Sequence, residues 1–270
     1  MNPSLIFQCN SELLEGPVFD HKENLLYFVS ILDCLVFCYN PSTKEILSVK
    51  LDSPVSCVFL LDRKRIMVAS KSGFFEVDFN TLQKKFSFQI DIANSVRYND
   101  GIKDPKGRFI IGTMGYPEVK NNIGKVFSYS EGKYKVIIKD TTISNGLAFS
   151  QDGLSLYFID TPTKKVAKYA YDTETGDVSF ESYVIEFNRE GSPDGMCMDN
   201  KGMLWIAEWG GGCVSRWNPE NGRKLDERQL PCLNVTSCCI DNYLNLYITT
   251  AKSSDKDDIY GGGLFYVELN

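Results

Sequence analysis

The sequence predicts an all-β fold, a six-bladed β-propeller, from three observations. Six segments repeat one pattern, in which a small or polar residue opens an apolar stretch, a polar turn follows, and a second apolar stretch rich in β-formers closes the unit. Successive opening residues are 41 to 49 residues apart, the period of a four-stranded propeller blade. No segment carries a 3.6-residue apolar period of helical length. We therefore expect residues 1–270 to form a single propeller domain with a central channel.

Each repeat is predicted to form a β-hairpin, and the β-like runs between the repeats are predicted to form the outer strands. Turn residues divide the hairpins, as in DPKG at 104–107 and DNKG at 199–202. Short β-like runs such as CLVFCYN and GFFEVDF lie between hairpins. The N-terminal run SLIFQC is expected to complete the blade that ends in GGGLFYVEL, which would leave no long exposed sheet edge. A pair of β-sandwiches is the alternative fold, but it does not require so even a period.

Composition and charge exclude several classes of protein. The chain is 43% hydrophobic with a net charge of −6, which fits a globular protein and lacks the basic surface of a nucleic-acid-binding protein. It has no stretch of 18 apolar residues, and the N-terminus has neither a basic region nor an apolar core typical of a signal peptide. We expect a cytoplasmic protein that binds neither a membrane nor nucleic acid, with a monomer as the expected state and an oligomer as the alternative.

The cysteine and histidine content limits the available chemistry. Nine cysteines, an odd number without CxxC spacing, favour reduced and largely buried thiols over a disulfide framework. His21 is the one histidine, and its surroundings DHKEN indicate an exposed turn. A Ser-His-Asp triad, a catalytic Cys-His pair and a histidine-rich metal site are therefore all disfavoured. Chemistry in this chain depends on carboxylates, amides, hydroxyls or lysines.

The residues that open the six repeats are predicted to form a ring at one end of the channel. In a propeller the innermost strand of each blade borders the axis, so equivalent positions lie at the same height. The ring consists of Glu15, Ser56, Asn99, Asn145, Asp194 and Thr236. Crowded carboxylates repel one another unless a cation lies between them, and Ca²⁺ prefers oxygen ligands such as carboxylates and amides.

We therefore predict one divalent cation held by Glu15, Asn145 and Asp194, with Asn99 as a fourth contact directly or through water. The same oxygens would also accept Mg²⁺, Mn²⁺ or Zn²⁺. The alternative is that the Asn-Gly and Asp-Gly pairs at these positions are only turn formers. Their recurrence at one position of several repeats favours the metal site, and a repeat that needed only a turn has no reason to place Glu15 there.

Several stretches resemble the senescence marker protein 30/gluconolactonase/luciferin-regenerating enzyme family over nearly the whole chain. They are EGPVFD at 15–20, SPVSC at 53–57, RYNDGIKDPKGRFIIGTM at 97–114, SNGLAFS at 144–150 and SPDGMCMD at 192–199. The resemblance implies a six-bladed propeller with one channel metal, whose ligands match Glu15, Asn145 and Asp194. It also matches Arg97 and Asn99 to substrate-contacting residues. A lid-loop glutamate of the family falls at Pro117, so that Glu118, one place on, is the candidate substrate contact.

The resemblance further implies a metal-dependent hydrolase that opens a sugar lactone or a related cyclic ester. A divalent cation would polarise the ester carbonyl, and Asp194 is the candidate general base because no histidine is available for that role. Two alternatives use the same scaffold, a phosphotriesterase and a non-enzymatic propeller that binds calcium or another ligand. Two carboxylates and two amides leave coordination positions open for water and substrate, which favours the enzyme.

Overall fold

The computed structural model describes residues 2–255 and 257–269, and in these residues the protein is built from β-strands. One short 3₁₀-helix, Thr161–Thr163, follows the fifteenth strand. Among the described residues, no helix has the length and apolar character needed to cross a membrane. The strands are β1 Ser4–Gln8, β2 Leu14–Asp20, β3 Leu25–Ser30, β4 Leu35–Tyr39, β5 Ile46–Lys50, β6 Val55–Leu60, β7 Arg65–Ser70, β8 Gly73–Asp78, β9 Gln83–Phe88, β10 Val96–Lys103, β11 Phe109–Gly115, β12 Gly124–Ser130, β13 Lys133–Thr141, β14 Ser144–Phe149, β15 Ser155–Asp160, β16 Lys165–Tyr171, β17 Val178–Glu186, β18 Ser192–Met198, β19 Leu204–Trp209, β20 Cys213–Asn218, β21 Arg223–Gln229, β22 Asn234–Ile240, β23 Leu246–Ala251 and β24 Gly263–Val267.

The strands form a propeller-like arrangement of antiparallel sheets, but not six separate blades. Four sheets have four strands each, namely β2–β5, β6–β9, β10–β13 and β14–β17. The remaining strands, β18–β24 with β1, form one eight-stranded sheet. The prediction of six separate blades is thus corrected to four blades and one larger sheet. The physical reason is a bridge between Trp209 and Asn234, which joins β19 to β22.

The first strand of each four-stranded unit lies beside the next such strand around the centre of the molecule. Ser56 Oγ of β6 donates to the carbonyl of Tyr98 in β10 at 2.6 Å, and Thr236 Oγ1 of β22 donates to the carbonyl of Leu14 in β2 at 2.6 Å. A cavity of about 650 Å³ is lined by residues of β2, β6, β10, β14, β18 and β22. These six strands are called the inner strands below.

The core lies between neighbouring sheets rather than on one face of a single sheet. All six residues of β3 are buried, because both faces of a blade pack against other blades. One apolar cluster joins Tyr27 and Val29 of the first blade to Val58 and Val68 of the second. The outermost strands contrast with this pattern, and five of the six residues of β9 are exposed. Burial therefore decreases from the inner strands to the rim.

Local predictions about turns, chain closure and thiols are confirmed. In the DPKG turn, Asp104 Oδ1 accepts hydrogen bonds from the amides of Lys106 and Arg108 at 2.9 and 2.8 Å. Strand β1 pairs with β24, so the N-terminal run completes the sheet that contains the last strand. All nine cysteines are unpaired thiols. His21 is exposed, as expected for its turn.

Candidate functional site

Each predicted ring residue lies on an inner strand at a break in strand pairing. Register shifts occur between Glu15 and Val18 in β2, between Ser144 and Leu147 in β14, and between Pro193 and Met196 in β18. The other three inner strands carry equivalent shifts. A β-bulge re-aims side chains that would otherwise alternate between the faces of a sheet. At the ring, the bulges therefore release these side chains from the usual alternation between the two faces of the sheet.

Close backbone approach fixes the neighbouring inner strands at this height. A Cβ atom added to Gly146 would lie 2.6 Å from the backbone oxygen of Asp194, and one added to Gly195 would lie 2.9 Å from Cα of Ser237. Glycine is therefore required after Asn145 and after Asp194 for packing. The alternative reading of these two pairs as turns is wrong, because both pairs lie inside strands, β14 and β18.

Glu15 and Asp194 are buried carboxylates with few compensating groups. Each is less than a tenth exposed. Glu15 Oε2 accepts a hydrogen bond from the Gly16 amide at 2.8 Å, whereas Asp194 Oδ1 is buried without a hydrogen-bond partner among the described residues. Burial, and then the charge of Asp100, raises the pKa of Glu15 to about 8. Burial, and then the charge of Glu15, raises the pKa of Asp194 well above its usual range.

Arg97, Asn99 and Asn145 form one hydrogen-bonded chain. Arg97 Nη1 donates to Asn99 Oδ1 at 2.7 Å, and Asn99 Nδ2 donates to Asn145 Oδ1 at 3.0 Å. Asn145 Nδ2 in turn donates to Thr161 Oγ1 at 2.9 Å. Arg97 is only 6% exposed, and its burial lowers its pKa to about 10. The structure therefore brings the predicted substrate residues Arg97 and Asn99 into contact with the predicted ligand Asn145.

The remaining predicted residues lie apart from this chain. Glu118 is exposed in the segment after β11, and its side chain has no recorded hydrogen bond or ion pair with a described residue. The hydroxyls of Ser56 and Thr236 donate to backbone carbonyls of adjacent inner strands, so they hold the ring together. Ring positions therefore divide into two hydroxyls that bond to neighbouring strands and four acids and amides, of which Glu15 lies between the two hydroxyl-bearing strands.

The acids and amides fit a divalent cation. Their donors are oxygen atoms, the carboxylates are buried, and an oxygen of Asp194 lacks any partner. A cation coordinated by carboxylate and amide oxygens would satisfy that atom and offset the burial and the repulsion that together raise both acid pKa values. Glu15, Asn145 and Asp194 would hold it. Asn99 Oδ1 accepts from Arg97 and Asn145 Oδ1 accepts from Asn99, so each amide oxygen has one donor and keeps a second lone pair for a cation.

Sequence reasoning missed two residues beside the ring. Asp100, which follows Asn99, lines the 650 Å³ cavity, and burial raises its pKa to about 6. The sequence signal for Asp100 was its place in the NDG triplet, directly after the ring residue Asn99. Thr161 contacts Asn145 from the end of β15, sixteen residues away in sequence. No sequence pattern indicated this contact, because it depends on how the second strand of the blade ends.

A second acidic group lies within the eight-stranded sheet. Glu208, Cys213 and Glu227 place one potential ligand atom each within 4.8 Å of the others. Arg189 Nη1 donates to Glu227 Oε2 at 2.6 Å, and Arg189 Nη2 donates to Glu208 Oε1. A guanidinium therefore already supplies the positive charge that these carboxylates need. We interpret this group as an ion pair network rather than a metal site.

Comparison with known proteins gives a family match along most of the chain. Residues 13–252 match the family model described as "SMP-30/Gluconolactonase/LRE-like region". The chain is 34% identical to regucalcin of Xenopus laevis over 253 residues, which is 90% of this chain and 85% of the relative.

Two solved structures share the architecture. A luciferin-regenerating enzyme superposes with a TM-score of 0.91 and 26% identity, covering 100% of this chain and 96% of the other. A gluconolactonase from Xanthomonas campestris superposes with a TM-score of 0.79 and 18% identity, covering 99% of this chain and 89% of the other. At that identity the second likeness shows the fold alone.

Proposed function

The chain belongs to the SMP-30/gluconolactonase/LRE-like family, and from that premise we propose that it is a divalent-metal-dependent lactonase that opens a sugar lactone. The observation that carries the proposal is Asp194. Its carboxylate is buried, has one oxygen without a partner, and lies in the same ring as Glu15 and Asn145. A cation beside this buried acid would offset the cost of burying its charge, and perturbed buried acids of this kind are common at functional sites.

The proposed architecture assigns two blades to the eight-stranded sheet. Its strands fall into β18–β21 and β22–β24 with β1, and a single bridge joins the two groups. Counted this way, six blades surround the channel in one domain over residues 1–270. Each of the six then contributes one inner strand with a bulge at the ring.

Glu15, Asn145 and Asp194 would hold the cation, and Ca²⁺ suits their oxygen donors best, with Mg²⁺, Mn²⁺ and Zn²⁺ as alternatives. When bound, a divalent cation would supply Lewis-acid polarisation of a lactone carbonyl. The contribution of the chain is to fix these oxygens, which the bulges and the close approach at Gly146 and Gly195 support.

Asp194 is the proposed general base. One carboxylate oxygen of Asp194 would bind the cation, and the other would take a proton from a water molecule while the water oxygen bonds to the lactone carbonyl carbon. The bond between that carbon and the ring oxygen then breaks, and the ring oxygen takes up that proton from Asp194. The product is the open hydroxy acid, so one water is consumed for each ring that is opened.

Arg97, Asn99 and Glu118 are the proposed substrate contacts. Arg97 uses Nη1 within the protein, and its Nε and Nη2 have no hydrogen-bond partner among residues 2–255 and 257–269. Those two donors can bind hydroxyl or carbonyl oxygens of a sugar ring. Glu118 is exposed beyond β11, where a carboxylate can accept hydrogen bonds from substrate hydroxyls.

A chelation and reconstitution experiment tests the proposal. The protein is stripped with a chelator and assayed with a panel of sugar lactones and one phosphotriester after adding Ca²⁺, Mg²⁺, Mn²⁺ or Zn²⁺. We expect metal-dependent lactone opening that Asp194→Asn abolishes and the exposed control Asp52→Asn preserves. Turnover of the phosphotriester alone would support the phosphotriesterase instead. Metal binding without turnover of any substrate would support a binding propeller.

A further inference from the structure

The hydrogen bonds that begin at Arg97 run in one direction and end at the backbone next to Asp194. Arg97 is a donor only, and the Pro193 carbonyl is an acceptor only. Between them, Asn99, Asn145 and Thr161 each accept one bond and donate the next, and Thr161 Oγ1 donates to the Pro193 carbonyl at 3.0 Å. Exchanging the oxygen and nitrogen of the Asn99 or the Asn145 carboxamide would place two donors, or two acceptors, opposite each other. The orientation of every member is therefore determined by the two ends.

This direction explains why Asn145 presents its oxygen to the ring. The Thr161 hydroxyl has one hydrogen, and the Pro193 carbonyl receives it. Its oxygen must then accept from Asn145, which places Nδ2 at Thr161 and Oδ1 on the opposite side. Thr161 also contacts the residue that precedes Asp194, so one hydroxyl restrains two of the three proposed ligands.

We infer that Thr161 is a positioning residue that orients the Asn145 carboxamide and the start of β18 for cation binding. This inference rests on the proposed function only for the presence of a cation. Residues that orient metal ligands through hydrogen bonds typically contribute tenfold to hundredfold in affinity. Thr161→Val keeps the shape of the side chain and removes both hydrogen bonds, whereas Thr161→Ser retains the hydroxyl.

Calorimetric titration of the chelator-stripped protein with Ca²⁺ tests the inference without an activity assay. We expect Thr161→Val to weaken Ca²⁺ binding about tenfold to hundredfold, and Thr161→Ser to restore most of the affinity. Circular dichroism of the stripped variants verifies that they fold, and Thr161→Ala replaces Thr161→Val if the latter does not. Wild-type affinity in the variant that lacks the hydroxyl would overturn the inference. If the wild-type protein binds Ca²⁺ but opens no lactone, the proposed reaction fails while this inference stands. If it binds no divalent cation, both fail.

A separate feature lies in the wall of the 650 Å³ cavity, which four cysteines line. They are Cys57, Cys197, Cys238 and Cys239. The sulfur atoms of Cys197 in β18 and Cys238 in β22 are 3.7 Å apart. The two strands approach closely beside this pair, as shown by the short distance between Gly195 and Ser237. No other pair of cysteine sulfurs is recorded in contact within the part of the chain that the structure describes.

The two thiols differ in access. Both line the cavity, but Cys197 is half-buried whereas Cys238 is only 2% exposed. A more accessible thiol beside a more buried one is the arrangement of an attacking and a resolving cysteine. The hydrogen bond with Cys238, together with burial, raises the pKa of Cys197, so the reaction is expected to be slow.

The geometry points to Cys197 and Cys238 as a disulfide-forming site that reacts with small disulfides such as oxidised glutathione. The Cys197 sulfur attacks the small disulfide, which forms a mixed disulfide and releases one thiol. The Cys238 sulfur then attacks the Cys197 sulfur and releases the second thiol. Two protein thiols lose two electrons and two protons in total, and the small disulfide is reduced to two thiols. The new bond would tie β18, three residues after Asp194, to β22.

Mass spectrometry after prolonged incubation with oxidised glutathione tests this site. The expected product has lost two hydrogens, and its proteolytic map links the peptides that contain Cys197 and Cys238. Cys238→Ser should instead retain a glutathione adduct on Cys197, whereas Cys34→Ser, a half-buried control, should form the link normally. The proposal is wrong if the wild-type protein keeps nine alkylatable thiols, or if its link joins other cysteines. A mixed disulfide at Cys197 that persists in the wild-type protein would also contradict it.

Discussion

Gly146 and Asp194 are packed so closely that no side chain fits between them. A Cβ at Gly146 would lie 2.6 Å from the Asp194 backbone oxygen and 2.9 Å from side-chain atoms of Ile159 and Met196. The residue after one proposed ligand thus sets the position of another, across two inner strands. This contact explains why the ring depends on glycine at a position where the backbone itself does not require a left-handed conformation.

Replacing this glycine is expected to disturb the ring. Gly146→Ala should lower the free energy of unfolding by about 1–3 kcal/mol, because the neighbouring backbone must move. Ca²⁺ affinity should fall as well, since Asp194 moves with its strand. Gly132→Ala is the control for Ca²⁺ affinity only: a Cβ there meets no atom within 4 Å, but the φ of 80° makes alanine costly for stability, so this variant should lose stability without losing Ca²⁺ affinity. Urea unfolding and calorimetry measure both quantities, and unchanged Ca²⁺ binding in Gly146→Ala would show that the contact does not position Asp194.

Arg97→Lys is expected to separate substrate binding from metal binding. In the wild-type protein the planar guanidinium of Arg97 donates to Asn99 through Nη1 and keeps Nε and Nη2 for the substrate. Lysine has no such fork, so one charged hydrogen bond to the substrate is lost. Such a bond contributes roughly 1.5–3 kcal/mol, which corresponds to a decrease in kcat/KM of about tenfold to hundredfold. Ca²⁺ affinity should change much less. Steady-state kinetics with the best lactone, together with calorimetry, provide the comparison. A loss confined to Ca²⁺ affinity would assign Arg97 to ring structure instead.

Arg189 is expected to be essential for stability because its partner is deeply buried. Glu208 is 1% exposed, accepts from Arg189 and Ser215 on Oε1, and has no partner on Oε2 in the part of the chain that the structure describes. Removing the guanidinium leaves a buried charge, which typically costs about 3–5 kcal/mol. Arg189→Met should therefore destabilise strongly in urea unfolding, and the added change Glu208→Gln should recover part of the loss. Lys165→Met, which breaks the exposed pair with Glu186, should change stability far less than Arg189→Met.

Glu227 is expected to contribute a pH-dependent part of the stability. Burial opposes its ionisation, but hydrogen bonds from Lys224, Arg189 and Gln229 outweigh this and lower its pKa to about 2 from an ordinary value of 4.5. A carboxyl with a lowered folded-state pKa stabilises the fold fully above the unfolded-state pKa, and the contribution is lost as pH falls through the folded-state pKa. Glu227→Gln should therefore be less stable than the wild-type protein above about pH 4.5.

The difference between Glu227→Gln and the wild-type protein should shrink steadily as pH decreases from about 4.5 toward 2. Urea unfolding at a series of pH values measures it. A difference that stays constant over this interval would mean that the network of Arg189 and Glu227 does not act through the carboxylate charge.

The sequence by itself determined the repeat, the strands and the identity of the ring residues. A period of 41 to 49 residues with alternating turn and apolar segments is local information, and it located Glu15, Asn145 and Asp194 on equivalent strands. The turn carboxylate of Asp104 and the pairing of β1 with β24 also followed from local patterns and closure. The residues Arg97 and Glu118 came from family resemblance, since the repeat did not include them.

Only the tertiary structure decided how the sheets divide and how the ring side chains are oriented. The bridge between Trp209 and Asn234 merges two strand groups, and a single backbone pairing leaves no trace in the hydrophobic pattern. The direction of the amide chain depends on Thr161, and the distance between Cys197 and Cys238 depends on how two inner strands converge. Such contacts join residues that are far apart in sequence. Their geometry is set by the packing of the inner strands around the channel, which local composition does not encode.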